Sequence, residues 1–482
     1  MARYVGWTFE SDPAMVNSSQ KSDALVDPVR VSFKARVWKT AYWMLGSNAA
    51  SQVLRLFSNL VLTRLLAPEA FGLMAAVSTI YFALSMFSDL GVWQSVVKSD
   101  RAYADSFIGT AQSIEFLRGL ILTVLMLLSA AGLYLGMFTG LFKTTSVYAD
   151  AQLPSMIAFV GLCALLDGLV SMKFALAQRS LRGDRIAKLE LTAQVAAAIS
   201  TITLVWLTGS IWGLLAGWLV SSCVRVALSN LYLSGPWIAP RWNALYASEM
   251  FKYGKWIFVS SVIGFFAANT EKIIFGNYLS LNQFGVFAIA SALVSAVTAI
   301  YSTLLSQVIF PGLSMALNDQ LNVTRIYTRF QQLADLLLGL IAGGLFTCGQ
   351  WLVWVLYDAR YHEAGWMLQL LGLTMLGLRY QVVEQFMFAT DRPDLVSANN
   401  LLRALFLVVG IPTFFYFEEA RGAIFAIVLA QFSSWPLCIY FKWREGLLSF
   451  KSEYVWAPAF VGGAGAGHLV NLALLAIVHS LS

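Results

Sequence analysis

Twelve ionisable side chains interrupt stretches that are otherwise apolar: Arg55, Asp89, Glu115, Arg118, Asp167, Arg225, Glu271, Lys272, Asp335, Arg379, Glu384 and Arg403. In a bilayer, each charge near mid-membrane costs about 2.5–3.5 kcal/mol on insertion scales, so such side chains must face a protein interior or a watery cavity. Glu115 and Arg118 lie three apart on one helix face, which allows a structural ion pair as readily as a substrate contact. Arg225 and Glu384 fall near mid-span and need buried partners. Arg55, Lys272 and Arg403 have no opposite charge three or four residues away. Glu271 adjoins Lys272, but neighbours on a helix point about 100° apart. Unpaired cations in a cavity suit an anion, and the arginine fork suits phosphate especially. Arg55, Arg118, Lys272 and Arg403 are therefore the expected substrate-binding patch, for a phosphate or pyrophosphate headgroup. Asp89, Asp167, Glu271, Asp335 and Glu384 either take up a coupling proton or sodium ion or pair with the arginines.

The elements that must hold these residues follow from composition. Of 482 residues, 58% are hydrophobic and 12% charged, against roughly 25% charged in an average soluble domain. Spans of about 20 apolar residues fit the chain many times over, so we expect an all-α polytopic membrane protein. Thirteen spans are expected, at about 40–63, 71–97, 107–136, 152–175, 188–208, 210–234, 254–279, 284–311, 331–356, 364–389, 396–417, 420–441 and 455–480. With the N-terminus cytoplasmic, the loops divide 22 Lys and Arg on the inner side against Arg64, Lys143, Arg360 and Arg421 outside, as the positive-inside rule requires. The net charge of +6 thus reflects loop anchoring, not nucleic-acid binding. No cleavable signal peptide is read in the polar first 39 residues. VRVSFKARVWKT (29–40) and RWNALYASEMFKYGKW (241–256) read either as helices lying on the inner leaflet or as ordinary membrane-flanking anchors. Many Trp and Tyr residues fall near span ends, as an interfacial belt, and the four cysteines read as packing residues.

The chain also repeats itself. LTRLLAPEAFGLMAAV (62–77) and FGNYLSLNQFGVFAIA (275–290) share an outline at an offset of 213, with Phe71-Gly72 matching Phe284-Gly285. Arg182-Gly183-Asp184 matches Arg392-Pro393-Asp394 at an offset of 210. A six-helix unit used twice keeps its membrane orientation, so the copies are parallel repeats about an axis along the membrane normal, an architecture of transporters. The expected organisation is a cytoplasmic segment (1–39), two six-helix bundles (40–235 and 254–445) joined by a linker (236–253), and an additional C-terminal helix (446–482).

An enzyme is disfavoured. The longest outer loop, about 137–151, offers Asp150 and Lys143 but no paired carboxylates, and Glu418-Glu419 reads as solvated turn charge. His362, His468 and His479 lack metal-ligand spacing, and no Walker A motif occurs. No cofactor or metal is expected.

The segments NLVLTRLLAPEAFGLMAAV, FSDLGVWQSVV, ALAQRSLRGDRIAKLE and EMFKYGKWIFVSSVIGFFAANTEKIIFGNYLSLNQFGVFAIA together resemble the Wzx-type polysaccharide flippases. These are the polysaccharide transport family of the multidrug/oligosaccharidyl-lipid/polysaccharide exporter (MOP) superfamily. The resemblance covers about residues 35–445. It implies a bacterial inner-membrane protein with two bundles in a V, which flips an oligosaccharide repeat unit on undecaprenyl pyrophosphate to the periplasmic face. Implied partners are that lipid-linked oligosaccharide, membrane lipids, and the polymerase and chain-length proteins of the same pathway. A peptidoglycan-precursor (lipid II) flippase, a multidrug exporter of the superfamily, and a membrane glycosyltransferase or polymerase are the alternatives. The spread-out motifs fix no contact residues.

Overall fold

The computed structural model describes residues 28–481, apart from 100, 141, 144–145, 181, 235–236, 319–321 and 450–452. Residues 1–27 of the expected cytoplasmic segment thus lie outside the described residues. Among the described residues every regular element is helical, as a bilayer demands when backbone groups must be satisfied within the segment. In chain order these are α1 (Pro28–Leu65), α2 (Pro68–Phe87), a short α3 (Val92–Lys98), α4 (Asp105–Phe138), α5 (Leu153–Asp167), a short α6 (Lys173–Arg179), α7 (Gly183–Thr208) and α8 (Trp212–Leu231). Then come α9 (Ala244–Tyr278), α10 (Leu281–Leu304), α11 (Phe310–Asn318), α12 (Val323–Leu356), α13 (Ala364–Gly372), α14 (Thr374–Leu378), α15 (Gln381–Ala389), α16 (Pro393–Phe432), α17 (Trp435–Arg444) and α18 (Trp456–Leu481).

Among the described residues, seven helices are long and apolar enough to cross a membrane by length and composition. The remaining expected spans overlap α1, α5, α9, α13 to α15, the second limb of α16 with α17, and α18 in sequence. The two limbs of α16 part at Glu418 and Glu419, the latter at φ 47°, where a turn between spans was expected. Three expected spans are broken. Span 71–97 stops at Phe87 and resumes at Val92 after Gly91, which sits at φ 60° and donates its N–H to Asp89 Oδ1 (2.8 Å). Span 152–175 breaks between α5 and α6, and span 364–389 between α13, α14 and α15. A fourth, 284–311, carries a π-helical turn at Leu305–Ile309. By contrast, 244–278 is one unbroken helix, started by the Asn243 side chain accepting from the Leu245 and Tyr246 N–H groups. The helical part of 241–256 is therefore the foot of α9, not a separate surface helix.

The repeat is visible in backbone detail. α7 and α16 both begin after an arginine at ψ 53°, Arg182 and Arg392. Each donates its N–H five residues back, to Ala177 O (2.9 Å) and Met387 O (2.8 Å). The two copies of the Phe-Gly stretch do more than look alike: they meet. α2 starts with Pro68 at its first turn and α10 with a Ser280/Gln283 capping box, and the two helices then cross at Gly72 and Gly285. A Cβ on Gly72 would lie 2.7 Å from Leu281 O, and one on Gly285 would overlap Pro68 O. Beside them Asn282 Nδ2 donates to Glu69 Oε1 (2.8 Å). Glu69 and Asn282 are 213 apart, so residues equivalent in the two copies touch each other, and the pseudo-twofold axis passes between them.

The extra helix α18 lies along α12. Gly339, Gly343 and Gly344 of α12 face Ala459, Phe460, Gly463 and Gly467 of α18, with no room for a Cβ on Gly343 or Gly463. This is the small-residue contact by which membrane helices approach closely.

Candidate functional site

The broken helices line two polar cavities. The first, about 320 Å³, is walled by Asp89 from the α2–α3 break, Val170 and Met172 from the α5–α6 break, Glu115 and Arg118 of α4, Asp167 of α5, Glu190 of α7 and Arg225 of α8. Interrupted helices leave backbone polar groups for a cavity to satisfy, which is where membrane proteins tolerate them. Arg118 Nη1 lies 3.1 Å from Glu115 Oε2, and its other nitrogens donate to Ser85 O (3.0 Å) and Ser88 Oγ (3.3 Å). Tyr81 donates to Asp167 Oδ2 (2.8 Å). Arg225 stands between Asp167 (3.7 Å) and Glu190 (3.5 Å). These contacts are loose, and Asp167 Oδ1 and Arg225 Nε are buried without a hydrogen bond. Four acids face two arginines here, so this cavity is net acidic.

The second cavity, about 480 Å³, is lined by Glu271, Ser291, Ser295, Thr298, Gln381, Asn400, Arg403 and Gln431, with Leu371, Thr374 and Leu378 from the broken α13–α15 run. Arg403 Nε is buried without a partner. Glu384, behind it, accepts from Asn399 Nδ2 (3.5 Å).

The four cations expected to form one patch are therefore distributed. Arg118 lines the first cavity, where Glu115 pairs it, and Arg403 lines the second. Lys272 donates to Asn269 Oδ1 (3.3 Å), and Arg55 is exposed on α1. Of the acids, Asp89 and Asp167 line the first cavity and Glu271 the second, while Asp335 is consumed elsewhere. Asp335 is fully buried and takes both forks of Arg379 at 2.7 Å. Gln331 donates to the same carboxylate, and Arg379 also reaches Glu453 Oε2 (3.2 Å). Lys442 pairs with Glu453, which accepts from Tyr380 as well. This network fastens the start of the C-terminal segment to the second bundle. Sequence reasoning missed Glu190, Lys442 and Glu453 because it counted them as span ends and loops. Only their neighbours in space reveal them.

Contacts join the two halves at both ends. At the cation-poor end, each bundle sends a short 3₁₀ turn across to the other: Val147–Ala149 and Ala359–Tyr361. Tyr148 donates to Ile273 O (3.1 Å) and Ser146 to Gly276 O (3.1 Å) on α9. Tyr361 donates to Leu66 O (2.8 Å) and Arg360 to Thr63 O (3.2 Å) at the end of α1. Thr63 and Gly276 are again 213 apart. Burial pushes the Tyr148 phenol up to about 12, so it remains a donor at neutral pH. The Arg360 guanidinium, two residues on, holds the Asp358 carboxyl below the usual carboxylate range and is braced by it in turn. At the cation-rich end α9 leans on the first bundle. Gly254 packs on the Leu90 carbonyl with no room for a Cβ, Arg101 pairs with Glu249 (3.3 Å), and Asn243 N donates to Thr110 Oγ1 (3.2 Å).

Comparison with known proteins agrees with this architecture. Residues 61–365 match the model of a family described as polysaccharide biosynthesis protein. The succinoglycan biosynthesis transport protein ExoT of Rhizobium meliloti (strain 1021) is 22% identical over 342 residues, 70% of this chain and 66% of that protein. The chain thus matches just under two thirds of that relative's length. Among solved structures, the lipid II flippase MurJ in an inward closed conformation superposes with a TM-score of 0.68 at 13% identity, covering 89% of this chain and 92% of that one. An inward-facing multidrug resistance MATE family transporter gives 0.63 at 12% identity, over 84% and 98% of the two chains. These likenesses establish the fold. The chain is a multi-pass membrane protein that belongs to the polysaccharide biosynthesis protein family and carries the fold of the MOP transporters.

Proposed function

We propose that the protein flips undecaprenyl-pyrophosphate-linked oligosaccharide repeat units across the bacterial inner membrane by alternating access, for surface or exopolysaccharide synthesis. The N-terminus is then cytoplasmic, the cation-rich end inner and the cation-poor end outer. The two moving bodies are bundles 40–235 and 254–445. The observation that carries the reading is the pseudo-symmetric seal at the cation-poor end, where each bundle holds the other by matching hydrogen bonds around the Gly72–Gly285 crossing. A seal built of a few reversible contacts on the symmetry axis is what rocking of one repeat against the other requires.

The headgroup enters from the inner leaflet as α9 leaves Leu90, with its polyprenyl tail remaining in lipid. Arg403, which has an unused donor in a wall of Ser, Thr, Asn and Gln, is the first anchor for the pyrophosphate. Arg118 becomes available only by exchanging Glu115 for substrate, and Lys272 and Arg55 complete the cationic path. The net acidic first cavity favours uptake of a coupling cation at Asp89 and Asp167. Glu271 and Glu384, near Arg403, are the corresponding acids in the second bundle. No catalytic step is assigned.

Deleting the gene should abolish one surface polysaccharide while its lipid-linked repeat unit accumulates at the inner leaflet. Neutral substitution of Arg55, Arg118, Lys272 and Arg403 together should reproduce that phenotype with normal membrane expression. Wild-type polysaccharide from the quadruple variant would refute the cationic path. Accumulation of a peptidoglycan precursor instead would reassign the cargo to lipid II.

A further inference from the structure

The additional helix α18 creates a second polar site away from both cavities. A cleft of about 480 Å³ opens between α12, α13, the second limb of α16 and α18, lined by Thr347, Trp366, Gln369, Arg421, His468 and Asn471. It begins at the cation-poor membrane surface and runs inward. Gln369 lies about 7 Å and Thr347 about 13 Å below the ends of their helices, at 1.5 Å per residue. Thr347 Oγ1 donates to Gly343 O (3.0 Å), whereas Gln369 makes no hydrogen bond among the described residues, and a polar side chain at such depth is expensive unless something pairs with it.

Among the described residues Arg421 has no ion pair and stacks on Trp366 at 5.7 Å. His468 is exposed on a membrane helix. Asn471 donates to Thr347 O (2.8 Å), while its own Oδ1 is buried without a donor. Two and three residues before Arg421, Glu419 and Glu418 form the sharp turn of α16, exposed and outside any ion pair among the described residues. The cleft with the turn that adjoins Arg421 therefore offers two carboxylates, a guanidinium, and amide and imidazole donors.

We infer that this cleft binds a zwitterionic glycerophospholipid with a primary ammonium headgroup, of the phosphatidylethanolamine class. Its ammonium faces Glu418 and Glu419, its phosphate faces Arg421, and its ester carbonyls accept from Gln369 and His468. A polyprenyl pyrophosphate has neither ammonium nor carboxylic ester carbonyls and leaves both ends of the site unused. Phosphatidylglycerol satisfies Arg421 but brings a neutral glycerol, not a cation, to the two carboxylates.

Native mass spectrometry of the full chain, released from nanodiscs of defined composition, tests this without any transport assay. Wild type should retain phosphatidylethanolamine over phosphatidylglycerol by about threefold, a margin set by exposed charge pairs. Arg421→Gln should lower retention of either phospholipid about tenfold, as loss of one charge-assisted contact does. The double variant Glu418→Gln/Glu419→Gln should retain both phospholipids equally. Each variant's thermal unfolding without added lipid reports folding, and phosphatidylethanolamine should raise the Tm of wild type but not of Arg421→Gln. Equal retention of the two phospholipids by wild type, or unchanged retention by Arg421→Gln, overturns the proposal. So does retention of undecaprenyl pyrophosphate that Arg421→Gln abolishes and Arg403→Gln leaves unchanged. Each result stands whether or not the protein proves to be a flippase.

Discussion

Arg379, in the break between α14 and α15, and Arg403, in α16, do opposite work. Arg379 is saturated: Asp335 takes both its forks, and Glu453 and the face of Tyr380 hold it too. Removing one member strands a buried charge, so Arg379→Gln should destabilise by about 3–5 kcal/mol. The double change Arg379→Met/Asp335→Leu should recover much of that. Thermal unfolding in detergent measures both, and transport should follow the folded fraction. Arg403 has a donor to spare. Arg403→Gln should leave the Tm almost unchanged and cut apparent affinity for a pyrophosphate headgroup about tenfold or more. Equal loss of stability in the two variants would mean that Arg403 is merely structural. The sequence displayed all these charges and, by spacing, allowed a Glu115–Arg118 pair as readily as a substrate contact. It gave no means of telling a saturated arginine from an available one, because the deciding partners lie 44 to 74 residues away, as Asp335 and Glu453 do from Arg379.

At the scale of elements, hydropathy located where the chain is apolar but not where its helices stop. The breaks after Phe87 and Asp167 and around Arg379 fall at Asp89, Asp167 and Arg379, ionisable residues that hydropathy read as charges inside continuous spans. The cavity beside each break, not the local sequence alone, rewards the interruption. α9 shows the converse error, a polar foot that continues a helix because Asn243 caps it and the first bundle receives it. Its contact with Leu90 makes Gly254 a lever. Gly254→Val should force α9 off the first bundle and hold the inner end open. A cysteine placed at Ser302 in the second cavity should then react several-fold faster with a membrane-impermeant thiol reagent applied from the cytoplasm. Unchanged labelling would place the inner gate elsewhere.

For the molecule as a whole, the duplicated outline read from two short stretches anticipated the fold, and the structure added that the copies meet at the axis. Bridging the bundles there should stop the cycle. In a chain otherwise free of cysteine, Glu69→Cys/Asn282→Cys closed by a short bis-thiol linker should abolish flipping, and a cleavable linker should restore it. Normal flipping with the link intact would exclude opening at this end. The pair also bears on how a duplicated gene becomes a working machine. A residue on the axis confronts its own copy, so an unmodified duplication would have set Glu69 against a second glutamate or Asn282 against a second asparagine. Divergence at this one position turned self-confrontation into a donor facing an acceptor. Restoring symmetry by Asn282→Glu should therefore create a pH-sensitive door. Two ionised carboxylates would repel and spring the outer end open at neutral pH, and a proton shared between them would shut it as pH falls through the raised pKa of the pair.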